Sequence, residues 1–83
     1  MTAEALEMVV HGERHSSKVV GRCIDEIELP KGATIDAIVR GEQVIMGHYD
    51  TVIEADDHVI VFVINKKIIS KVEKLFQVGI EFF

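Results

Sequence analysis

The sequence predicts an α+β domain: one small mixed or antiparallel β-sheet carrying two short helices, in the order strand, helix, strand, strand, strand, helix. Three observations predict it. Residues 58–65, HVIVFVIN, are β-branched and aromatic and are apolar on both faces, the pattern of a strand covered on both sides. Residues 33–47 read as two short strands around the reversal Arg40-Gly41-Glu42-Gln43. Apolar residues recur at helical spacing in only two stretches, 19–27 and 68–76. Strand runs that do not alternate strictly with helices fit α+β architecture. The 83 residues, 48% hydrophobic, make one domain the natural count, residues 1–83.

The first strand is expected at 5–11, where Leu6, Met8 and Val10 share one face and Glu7, Val9 and His11 the other. Ser16 and Ser17 are candidate helix caps, because a hydroxyl accepts from the orphan amides of a first turn. A helix over 18–25 follows, with Val19, Val20, Cys23 and Ile24 on its apolar stripe and Gly21 weakening it. Pro30 and the pair Lys31-Gly32 end that region. The next strand, 33–40, places Ile35, Ala37 and Val39 on one face and Thr34, Asp36, Ile38 and Arg40 on the other. Gly41 supplies a positive φ for the reversal, and 44–47 returns as its partner. Residues 51–54, TVIE, suggest a further short strand before the turn Ala55-Asp56-Asp57. The last helix spans 66–76, with Ile68, Ile69, Val72, Leu75 and Phe76 inward and Lys66, Lys67, Ser70, Lys71 and Lys74 outward.

Composition narrows the function. Nine basic against fourteen acidic residues, a formal net charge of -5, leave no electrostatic footprint for nucleic acid. The longest apolar run, 59–64, is far below the roughly 20 residues that span a bilayer, so no direct membrane insertion is expected. One cysteine cannot form an internal disulfide, which suits a reducing compartment.

No catalytic set emerges, and an enzyme is not expected. Cys23, on an apolar stripe, reads as a small hydrophobe. His48, Glu54, Asp56, Asp57 and His58 read as a solvated acidic turn rather than a metal site, since ligands must converge in fixed geometry. The glycines form neither G-x-G-x-x-G nor a Walker A loop, so no cofactor is expected in this chain. The candidate ligand-binding residues are the cations near the hairpin, Arg40, Arg22 and Lys31. Arg40 ends a strand beside a glycine turn, where a guanidinium can grip an anion with forked geometry. The plainer reading is an arginine lying along its own sheet.

The doubly apolar strand has a further consequence. Two short helices cover one face, and nothing else in the chain is large enough to cover the other. A spare apolar face on the order of several hundred Å² is unusual on a monomer, so a homodimer is expected, with Phe82 and Phe83 available to join its interface.

The run VVGRCIDEIELPKGATIDAIVRGEQVI, followed by DTVIEADDHVIVFV, resembles the C-terminal domain of the regulators of potassium conductance. Leu29-Pro30, Gly32, Ile35, Ile38, Arg40 and Gly41 occupy the family's hairpin pattern, although Gly41 follows Arg40 directly. The end, DHVIVFVINKKIISKVEKLFQ, is similar to the branch of that family found in Trk potassium-uptake subunits. The resemblance implies a cytoplasmic regulatory module, the terminal part of a larger subunit. Such a module dimerises and acts on an integral membrane potassium-transport subunit at the inner face of the membrane. It also implies NAD- or ATP-binding Rossmann-like domains elsewhere in such a subunit, and none in this chain. Some relatives bind a cyclic dinucleotide between paired domains through an Arg and an Asn just before the hairpin strand. The matching stretch Leu29-Pro30-Lys31-Gly32-Ala33 holds neither. The alternative function is a small-molecule sensor that takes an anion or nucleotide in the inter-subunit cleft.

Overall fold

The computed structural model of the chain describes residues 3–77. Phe82 and Phe83 lie outside the described residues. Four strands form one antiparallel sheet: β1 (Glu4–Val9), β2 (Ala33–Arg40), β3 (Gln43–Met46) and β4 (His58–Val63), in spatial order β1-β4-β2-β3. The most apolar strand, β4, is central, flanked by β1 and β2. Such a position needs an apolar side chain at nearly every residue.

β2 has the predicted bounds, but its side-chain alternation differs from the sequence reading. A register shift between Ile35 and Ala37 makes Asp36 an extra residue in the β2–β4 ladder. The bulge breaks strict alternation, so Ile35 and Ile38 point into the core together. Gly41, at φ +62°, supplies the predicted reversal, and Arg40 pairs with Gln43 across it.

The core lies on one face of the sheet. Ile35, Ile38, Val59, Val61 and Val63 meet Val10, Val19, Ile27, Ile53, Val72 and Phe76 there. The cover is one helix and two long connections, not two helices. α1 (Ile69–Leu75) follows a 3₁₀ turn at Lys66–Ile68, and together they account for the predicted 66–76 helix. Asn65 starts it, its Oδ1 accepting from the Lys67 amide at 2.9 Å.

The helix expected over 18–25 is absent. Ser17 does cap a turn, its Oγ accepting from the Val19 and Val20 amides at 3.1 Å each. Propagation then fails at Gly21, which sits at φ +78°. The following backbone bonds to residues 49–53 instead. Gly21 N–H donates to Ile53 O at 2.7 Å, Ile24 N–H to Thr51 O at 3.0 Å, and Ile53 N–H to Arg22 O at 3.1 Å. Only a 3₁₀ turn, Ile24–Glu26, remains. The expected strand at 51–54 is correspondingly reduced to a single bridge, Val52 to Cys23. Cys23 is therefore half-buried outside any α-helix rather than on a helical stripe.

Candidate functional site: the open face of the sheet

Strand register assigns the other face of the sheet. Residues paired across the ladder share a face, so Ala5, Phe62 and Thr34 form one row. Glu7, Ile60, Ala37 and Met46 form the next, and Val9, His58, Val39 and Val44 the last. Most of these side chains are apolar, and nothing in the described residues covers them. Phe62 is 52% exposed, Met46 64% and Val44 68%. The connections that bury the core lie against the opposite side.

A concavity of about 440 Å³ opens at one end of this face. Ala5, Thr34, Phe62 and Ile64 line it, with Gly32 close by the Ile64 side chain. The surroundings are mainly apolar, with Glu4 at their border. Lys31, exposed in the turn, directly precedes Gly32.

The three candidate cations fall in different surroundings. Arg40 turns to the core side of the sheet, where it meets Asp57. Its Nε and Nη2 donate to the two Asp57 carboxylate oxygens at 2.9 Å each. Nη2 also donates to the Val52 carbonyl at 3.0 Å, and Nη1 lies 3.1 Å from Glu54 Oε2. Arg22 stitches a loop, its Nη1 donating to the Ser17 carbonyl at 2.6 Å and to the Val20 carbonyl at 3.2 Å. It also borders a second groove of about 440 Å³ with Lys18, Glu26, Glu28 and Leu75. Lys31 is exposed in the turn and is not among the residues that line the first concavity.

Asp57 corrects the expectation of a solvated acidic turn. It is 1% exposed. Burial pushes its carboxyl up, but the Arg40 fork and the Glu54 amide, donating at 2.9 Å, outweigh burial and hold it below the usual aspartate range. The hydrogen bonds that Arg40 donates to Asp57 in turn raise its guanidinium above its ordinary value. Cys23 lies outside the ordinary reactive range for a different reason. Desolvation and the nearby Glu26 raise its thiol, which favours the unreactive protonated form.

Glu7 and His58 are the second pair missed in the sequence. His58 Nδ1–H donates to Glu7 Oε2 at 2.6 Å on the open face. The partners are 51 positions apart, so only the β1–β4 register brings them together.

A model of the TrkA-C domain family matches residues 14–77. The chain belongs to the TrkA-C domain family. The TrkA-C domain is regulatory and not catalytic. The chain is 58% identical over 98% of its length to the Trk system potassium uptake protein TrkA of Halomonas elongata. It is 61% identical over 90% of its length to the same-named protein of Vibrio alginolyticus. It spans 18% and 16% of those two relatives, respectively. Among solved structures it resembles an RCK_C domain dimer of S. agalactiae BusR in complex with c-di-AMP. There the TM-score is 0.69 at 28% identity, covering 87% of this chain and 93% of that one. An RCK domain with cda shares the fold, at a TM-score of 0.70 and 15% identity over 88% of this chain and 97% of the other. Within the TrkA-C domain, no helix of the described residues is long and apolar enough to cross a membrane.

Proposed function

We propose that this TrkA-C domain is the pairing and regulatory module of a Trk-type potassium-uptake subunit, cytoplasmic and bound at the inner face of the membrane. In this reading two copies join through the open sheet face, and the paired unit acts on an integral membrane potassium-transport protein. The observation that carries the reading is the uncovered apolar surface of Phe62, Val44 and Met46 on a sheet whose other face is already packed. Leaving that surface in water is costly, and a two-fold partner presents an identical apolar face. The curated relatives supply the potassium-uptake context, and the BusR domain dimer supplies a precedent for pairing. A small displacement between paired domains, worth about 1–3 kcal/mol of coupling, suffices to bias a transport protein between two states.

The test places Phe62→Asp in the full-length subunit. The expected result is a stably expressed, monomeric protein that no longer supports growth on limiting potassium. A fully functional monomer would overturn the reading.

A second reading, a sensor for an anionic or nucleotide ligand, is favoured by the concavity at the end of the open face, whose lining residue Gly32 directly follows the exposed Lys31. Arg22 and Arg40 stand apart from that site: Arg22 borders the second groove, and Arg40, at the far end of β2, is held by Asp57. Thermal denaturation with c-di-AMP as the probe tests it. Binding to the native state raises the midpoint. Lys31→Ala is expected to lower that rise, and an unchanged midpoint in the native chain would remove the sensor reading for this probe.

A further inference from the structure

The open face is apolar in most of its positions, yet it holds a close acid–imidazole pair. Glu7 on β1 and His58 on β4 meet at 2.6 Å, with about half of each side chain exposed. The cross-strand neighbours of His58 are Val9 and Val39. β2 and β3 present Thr34, Ala37, Val39, Val44 and Met46 on this face. One further acid belongs to its margin: Asp36 at the bulge, whose Oδ1 accepts from Thr34 Oγ1 at 3.2 Å. Asp57, adjacent to His58 in sequence, is held by Arg40 on the other side of the sheet. His58 is thus the only basic side chain among the strand positions of the open face.

We propose that the Glu7–His58 pair makes association of two copies through this face depend on pH, with pairing strongest when His58 carries a proton. The proposal rests on the open-face pairing described above. Histidine is the side chain suited to change charge between about pH 5 and 8. When it is protonated, the pair enters the interface as imidazolium and carboxylate, and the charges compensate. Once the proton is lost, the Glu7 carboxylate must leave water without a cation beside it. An unpaired charge is costly to desolvate. Association therefore takes up protons and weakens as pH rises through that range. Both copies contribute one pair, so the effect is counted twice in a two-fold dimer.

Sedimentation equilibrium of the 83-residue chain at pH 6.0 and pH 8.5 tests this. The dimer dissociation constant is expected to rise about tenfold or more over that interval. The double variant Glu7→Gln/His58→Gln is expected to dimerise with a constant that no longer follows pH. Its other histidines, His11, His15 and His48, remain, so their contribution is the same in both proteins. Glu7→Gln alone is expected to reverse the trend, because a lone imidazolium must then enter the interface at low pH. A native dimer whose constant is flat from pH 6.0 to 8.5 would overturn this proposal while leaving open-face pairing intact. So would a double variant that keeps the native slope. A chain that stays monomeric at both pH values would overturn the pairing reading and this proposal with it.

Discussion

At the scale of the residue, the most constrained polar group is Asp57. Its two carboxylate oxygens accept from Arg40 and from the Glu54 amide, and 1% of the residue is accessible to water. Arg40, 32% exposed in its side chain, keeps one edge in solvent and bonds to the Val52 carbonyl as well. It therefore joins β2 to the 52–57 connection. Arg40→Ala leaves a buried carboxylate uncompensated and is expected to cost about 3 kcal/mol in urea denaturation. Asp57→Asn keeps the shape and one acceptor and is expected to cost less, about 1–2 kcal/mol. The folded-state carboxyl of Asp57 lies below its ordinary range, so its stabilisation is fully present above the unfolded value, near pH 4. That stabilisation is lost as pH falls from there through the folded value. Denaturation midpoints in the native chain should drop over that acid window, and the Asp57→Asn variant should show a shallower drop.

At the scale of the element, the two predicted helices fared differently for a physical reason. The C-terminal segment has an uninterrupted apolar stripe and a side-chain start at Asn65, so α1 forms close to where the periodicity put it. The 18–25 segment has a stripe and a cap but also Gly21, whose amide and left-handed φ commit the chain to Ile53. Helical periodicity in a short segment reports only which residues are apolar, and here a loop buries the same Val19 and Val20. Gly21→Ala is expected to destabilise the domain by about 1–2 kcal/mol in chemical denaturation. The new methyl must adopt a left-handed backbone and also lies 3.3 Å from Arg14 Cγ. Val72→Ala on α1 is expected to cost about 2 kcal/mol by the same measurement, since Val72 is wholly buried against the sheet.

At the scale of the whole molecule, the sheet has one face packed by its own chain and one face that, among the described residues, is left apolar and open. Charge placed on the open face separates folding from association. Met46→Lys and Val44→Glu change exposed positions, so each is expected to leave monomer stability within about 0.5 kcal/mol. In the pairing reading, each should still shift the dimer toward monomer in light scattering at several concentrations. Native-like association of both variants would exclude this face as the contact surface.

Much of the architecture was legible because it depends on local chemistry. The β-branched run of β4, the Gly41 reversal and the stripe of α1 each act within a few residues, where alternation and turn preference leave their mark. The apolar character of both β4 faces likewise follows from composition along one strand. The bulge at Asp36, the burial of Asp57 beneath Arg40 and the meeting of Glu7 with His58 leave no such mark. Each depends on which strand lies beside which, and in what register. A shift of one residue would turn those side chains to the opposite face. The groups that distinguish the candidate site were therefore decided by long-range pairing, because the energy that selects the register is shared across the sheet.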